Sequence, residues 1–229
     1  VCSSDLGCVE ADEGLVLAEK YLGAAPTATG DLPTRIQGPV RHDNPRVVVE
    51  RPVPRTAVTR SWATPPITDP DNLAVAMAID AIGSGMSSRL IRTLERERHL
   101  VDGIAMNDFG LSRGSSAALV SAHLKPGVSE EELTGAVDEI IAEFAASGPR
   151  EAELERARAQ VERDWLESLA VVDERADLLN MHETLLGDAN LVNTHLDRVR
   201  AITADQVTEA ANRWLSPEQA STVVHKEVA

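Results

Sequence analysis

Cysteine is nearly absent from this sequence. Cys2 and Cys8 are the only two, and their spacing matches neither a C-x-x-C redox pair nor a four-ligand zinc site. Long apolar runs are missing too: charge or glycine breaks every strongly apolar stretch well short of the roughly 20 residues a membrane-spanning helix needs. Insertion into a membrane is therefore excluded as an expectation. No basic segment followed by an apolar one opens the chain, so no targeting segment is read in it, and cytoplasm and periplasm both fit. Positive charge is scarce, with 22 Lys and Arg against 37 Asp and Glu and a net charge of −15. Such a balance excludes nucleic acid as a partner, because phosphate binding relies on clustered cations that release counterions. A cationic peptide is a better electrostatic match, although acidic residues on exposed helix faces serve solubility by themselves.

What the chain does have is size and pattern. Its 229 residues, 43% of them hydrophobic, are enough for a full core and predict a globular, soluble protein. Residues 1–7 fit poorly with the helical pattern that follows and read as a sequence scar. Pro26 to Pro45 is rich in Pro, Gly, Thr and Asp without a sustained period, as in an extended linker. Val47–Val49 and Thr56–Trp62 read as strands, and Pro52 and Pro54 between them remove ladder donors, which confines that piece to a sheet edge or a bulge. A helix apolar on nearly all sides opens after Asp69-Pro70-Asp71 and ends at Gly83 and Gly85. Ser87 to Arg98 reads as a charged helix capped by serine.

Two alternating segments, Val101–Phe109 and Ser116–Leu124, predict a hairpin turning through Leu111 to Gly114. Ser129 with Glu132, and Thr203 with Gln206, have capping-box spacing ahead of apolar helical stripes. Further helices surround Leu154–Leu169, Leu178–Leu186 and Leu196–Ile202, and Ser221–Val228 reads as a last strand. The order predicts an α+β fold in which helices cover one mostly antiparallel sheet. No short-period repeat is present, so a solenoid is excluded.

The string Gly83-Ser84-Gly85-Met86-Ser87-Ser88-Arg89-Leu90 resembles the G-x-G-x-S-S-R-L signature in the second half of an M16 zinc-peptidase repeat, the family of insulinase and the mitochondrial processing peptidases. Thr64-Pro65-Pro66, Lys125-Pro126-Gly127-Val128, Gly148-Pro149-Arg150-Glu151-Ala152-Glu153-Leu154 and the Ile202–Leu215 segment continue the pattern in order, over roughly Arg46 to Val228. Agreement is weaker over Val9–Pro26. The resemblance implies a LuxS/MPP-like metallohydrolase half-domain: residues 1–26 as the remnant of a preceding half, 27–45 as linker, and 46–229 as the C-terminal-type domain.

Active M16 enzymes take their zinc from an H-x-x-E-H helix in the first half of the repeat. The histidines here are His42, His99, His123, His182, His195 and His225, and no two lie four apart with a Glu between. The resemblance therefore implies no catalytic residue, metal or cofactor in this chain, and zinc in an H-x-x-E-H-bearing partner half, on the same polypeptide or a separate subunit. The chain would then form part of the peptide-binding chamber of a metalloendopeptidase. The alternative is a catalytically silent scaffold or regulatory module of the same fold. Family members place an Arg and a Tyr seven positions apart after the serine-rich turn to hold substrate, and those positions are Glu95 and Asp102 here. Arg92, Arg96 and Arg98 are the remaining candidates for peptide contact, or else a solvated charged face.

Three other chemistries are set aside. His182-Glu183 with His195 comes nearest to paired imidazoles, yet these read as helix-end or surface histidines. His99 reads as a cation at a helix end, and His123, beside Ser121, as a solvated strand residue. Gly110-Leu111-Ser112-Arg113-Gly114 has nucleophile-elbow spacing, but a strand follows it instead of a helix. The Gly83-Ser84-Gly85 turn offers backbone amides to an anion without a P-loop lysine or a βαβ frame.

Overall fold

Alternation decides the architecture. In a computed structural model of the chain, which describes residues 10–26, 30, 45–112 and 114–228, buried and half-exposed residues follow one another along Ala57–Thr64 and Ser116–Leu124. Five strands form one sheet: β1 (Arg46–Arg51), β2 (Ala57–Thr64), β3 (Val101–Asp108), β4 (Ser116–Leu124) and β5 (Ser221–Glu227), in the order β1-β5-β2-β4-β3. All neighbours are antiparallel except β1 and β5, so the mostly antiparallel sheet expected from the element order is found. The proline-flanked strand β1 is an edge, as missing ladder donors require.

By its contacts the chain divides into two units. The larger comprises Ile36–Val161 and Asp197–Ala229 and contains the sheet. Its helices α2 (Asn72–Gly83), α3 (Glu130–Ser147) and α7 (Ala204–Trp214) bury Met77, Ile79, Ile82, Leu133, Ile141, Phe144 and Val207 with Trp62, Met106 and Val224 of the sheet. Burial of this apolar surface, about 25 cal/mol per Å², is the main stabilising term. α2 is apolar nearly all round because it is enclosed. Both capping spacings work: the Ser129 and Thr203 side chains accept the amides of Glu132 and Gln206, and Gln206 completes a reciprocal box. Trp214 Nε1 and Arg213 both donate to Asp71 at the head of α2, at 3.0 and 2.6 Å, which fixes α7 against it.

The second face of the sheet carries Ala57, Thr59, Ser61, Ala63, Gly103, Ala105, Ala117, Ser121 and Ser221, interspersed with the larger Asn107, Leu119, His123, Val223 and His225. Most of these side chains are short, and all remain half-exposed or exposed.

The smaller unit comprises Val1–Arg35 and Glu162–Leu196. It holds α1 (Ala11–Leu22), which buries no residue, the end of α4 (Glu151–Ala170), α5 (Val172–Met181), a π-helical turn at His182–Leu186 and the start of α6 (Leu191–Ala201). Among the described residues no helix is long and apolar enough to cross a membrane. The scar read at residues 1–7, both cysteines and nearly all of the linker lie outside the described residues.

Candidate functional site

The glycine-serine string forms a tight corner between α2 and the chain that leads to β3. Gly83 ends α2 pressed against β3: a Cβ there would lie 2.1 Å from Met106 Cβ, so only glycine fits. Gly85 has φ +75°, the left-handed region that glycine enters without steric cost. Ser84 Oγ donates to Met106 O at 3.4 Å. The expected serine cap is not made. Ser88 is fully buried and its hydroxyl finds no partner, and the segment after it, Ile91–Glu97, is π-helical, with hydrogen bonds wider than those of an α-helix.

The signature arginine points inward. Arg89 is 3% exposed, its Nε and Nη2 hold Glu153 Oε1 and Oε2 at 3.0 and 2.7 Å, and Nη2 also donates to Gly148 O at 3.0 Å. The guanidinium stands 4.8 Å from the Phe144 ring centroid. Burial would raise the Glu153 carboxyl, but hydrogen bonds from Arg89 and the Arg150 amide outweigh it and hold the group below the ordinary glutamate range. Two motif segments seen separately in the sequence are thus one buried ion pair. Sequence reasoning missed Glu153 as a partner; its only signal was a place beside Leu154 and Ala157 on the buried stripe of α4.

Where Ser84, Gly85, Met86 and Ser87 turn outward, they line a cavity of about 140 Å³ with Asp80 and with Arg156, Ala157 and Gln160 of α4. Met86 is 63% exposed at its rim.

The candidate peptide contacts occupy the π-helical segment and its end. Arg92 faces Glu97 at 3.7 Å, Arg98 holds Glu139 at 3.1 Å, and Arg96 is exposed and makes no ion pair among the described residues. Glu95 accepts at its backbone carbonyl from His99 Nδ1, 3.1 Å away. His99 has φ +54° and ends the segment in the left-handed conformation that commonly closes helices. Asp102 pairs with Arg55. At the hairpin, Ile67 N donates to Leu111 O, Leu111 N to Ser116 Oγ, and strand β4 follows, so the elbow-like spacing at Ser112 is a turn. Burial raises the Asp108 carboxyl at the root of this turn, against hydrogen bonds from the Gly110 amide and the Ser116 hydroxyl.

In the smaller unit His182 and His195 both contact one indole. His195 stacks on Trp165 with centroids 3.9 Å apart, and His182 meets the same ring edge-on at 5.8 Å. His182 Nδ1 donates to Leu178 O at 2.8 Å. No third ligand joins them: among the described residues no three His, Cys, Asp or Glu side chains are grouped to hold a metal. The described residues therefore do not fit a catalytic zinc, which takes three protein ligands and a water.

Residues 6–161 match the family described as the peptidase M16 inactive domain. The chain belongs to that family. No curated protein matches it. Among solved structures, this M16 inactive domain is similar to a protease from Helicobacter pylori, at 18% identity and TM-score 0.83 over 95% of this chain and 53% of that one. It is similar also to the peptidase M16 inactive domain from Pseudomonas fluorescens, at 18% identity and TM-score 0.82 over 96% of this chain and 52% of that one. The periplasmic protease PqqL from Escherichia coli matches at 18% identity and TM-score 0.72, over 97% of this chain and 25% of that one. These identities speak for the α+β fold alone. The M16 inactive domain spans about half the length of the first two proteins it matches.

Proposed function

We propose that this M16 inactive domain is the zinc-free half of a metalloendopeptidase and supplies part of the wall that holds a peptide while an H-x-x-E-H-bearing half cuts it. The observation that supports this reading is the second face of the sheet, where among the described residues no helix-packed core lies and mostly short side chains, with Leu119, Val223 and the two histidines His123 and His225 among them, stay half-exposed or exposed. Strand β3 is an edge of that sheet, and a peptide could add there as a further strand beyond Met106, whose carbonyl already takes Ser84 Oγ. Arg92, Arg96 and Arg98 lie just before β3 and would meet carbonyl or carboxylate oxygens of that peptide; Arg96, free of ion pairs among the described residues, is the foremost of them. Residues 27–45 would be the tether to the preceding half, and 46–229 the domain itself.

A second reading is favoured by one observation. Glu95 and Asp102 stand where substrate-holding Arg and Tyr occur in the family, and Asp102 is engaged with Arg55. A silent scaffold or regulatory module would have that outcome.

The test uses the purified chain with and without an H-x-x-E-H-bearing M16 partner encoded upstream or nearby. Zinc content and cleavage of a quenched peptide are measured. Cleavage that needs both halves, with zinc in the partner, supports the peptidase reading. A partner that binds without gaining activity moves the assignment to the scaffold, and zinc-dependent cleavage by this chain alone overturns the division of labour.

A further inference from the structure

The second face of the sheet brings together two histidines far apart in the chain. Ala57 of β2 stands opposite His123 of β4 on one side and opposite His225 of β5 on the other. Directly opposed residues of antiparallel strands share a face, so His123, Ala57 and His225 form one row across the sheet. With neighbouring strands about 4.8 Å apart, the two histidine Cα atoms stand about 10 Å from each other. The residue between them ends at a methyl group. On the far side of His123 the row continues with Gly103, which adds no side chain.

The two imidazoles also differ from the others described in this chain. His99 donates to Glu95 O, His182 to Leu178 O, and His195 stacks on Trp165. The His123 and His225 side chains have no hydrogen bond, ion pair or ring contact among the described residues. His123 is exposed and His225 half-buried.

We propose that His123 and His225 form a two-imidazole site for a divalent transition metal of the class that prefers nitrogen ligands, Cu²⁺, Ni²⁺ or Zn²⁺. Neutral imidazole is the commonest protein ligand for these ions, and two rings leaning together over Ala57 would share one ion at metal–nitrogen distances of about 2.0–2.1 Å. Water fills the remaining positions. Glu227, two residues beyond His225 on the same strand, does not make a third ligand, since among the described residues no three such groups are gathered. The site is thus an open, exchangeable one and differs from a catalytic zinc centre. It does not depend on the peptidase reading.

Ni²⁺ is the probe, titrated calorimetrically at pH 7.5 into the full chain carrying Cys2→Ser and Cys8→Ser, which removes both thiols. One Ni²⁺ per chain is expected. His123→Ala and His225→Ala each weaken binding about tenfold or more, because losing a direct ligand costs at least as much as losing a supporting one. Ala57→Phe does the same while keeping both imidazoles, since it fills the gap between them. His99→Ala leaves the affinity unchanged. His123→Gln and His225→Gln run in parallel, with circular dichroism, so that a folding defect is not read as lost binding. No Ni²⁺ binding, binding that survives either histidine substitution, or dependence on only one of the two overturns the proposal.

Discussion

The Arg89 guanidinium grips both carboxylate oxygens of Glu153, a residue 64 positions further along the chain. Both are nearly inaccessible to water, with Arg89 3% and Glu153 5% exposed. In this chain Arg89 therefore serves architecture. It pins the corner after α2 to the start of α4 and to the Gly148 carbonyl at the end of α3.

Breaking this pair leaves a buried charge alone, which costs about 3–5 kcal/mol. Arg89→Ala should lower the urea midpoint accordingly. Arg89→Met combined with Glu153→Leu should recover most of the loss, because two apolar groups of similar size leave no charge stranded. A double variant no more stable than Arg89→Ala would contradict this account.

Glu153 also sets a pH dependence. Its folded-state pKa lies below the ordinary value of 4.5, so its contribution is fully present above pH 4.5 and is lost as pH falls through the folded value. Asp108 and Asp138 have the opposite sign. Burial raises both above 3.8, against the Arg60 ion pair in the case of Asp138, so protonating them in acid favours the folded state. The Glu153 effect is isolated by comparing the parent with Glu153→Gln: their stability difference should be constant near neutrality and shrink below pH 4.5. An unchanged difference down to pH 3 would refute it.

Two glycines of the signature should respond differently to alanine. Gly83→Ala drives a Cβ into Met106 Cβ at 2.1 Å and its backbone nitrogen at 2.9 Å, an overpacking that costs about 3 kcal/mol or more. Gly85→Ala meets no atom within 4 Å and bears only the strain of its positive φ, about 1–2 kcal/mol. Thermal unfolding of the two variants ranks them, and the reverse order would sink the explanation.

Thr203→Ala removes one half of the reciprocal cap on α7. A loss of about 1 kcal/mol is expected, read as a shift in the denaturant midpoint.

Much of the fold was legible because its rules act over a few residues. The alternation of Ala118, Val120, Ala122 and Leu124, the Ser129 and Thr203 spacings, and the prolines beside β1 each name a local structure. What escaped acts over distance or leaves no compositional trace. The sequence Ser87–Arg98 reads as an α-helix, since nothing in the residue types separates α from π hydrogen bonding. A charged residue on a charged helix does not announce that it is buried, so Glu153 was passed over. The partner of β1 was equally hidden: its edge position follows from missing donors, but its parallel pairing with β5 is a matter of topology. For the candidate site, the missing H-x-x-E-H string is read directly from the sequence, whereas the row His123, Ala57, His225 exists only once β2 lies between β4 and β5.

That placement of β5 has a kinetic consequence. β1 and β2 come early in the chain, yet the slot between them is filled by residues 221–227. As the polypeptide leaves the ribosome, two strands must wait with unpaired edges until almost the whole segment has been synthesised. This domain should fold late and as a single event, and a nascent chain stalled before residue 221 should be the form most prone to aggregate.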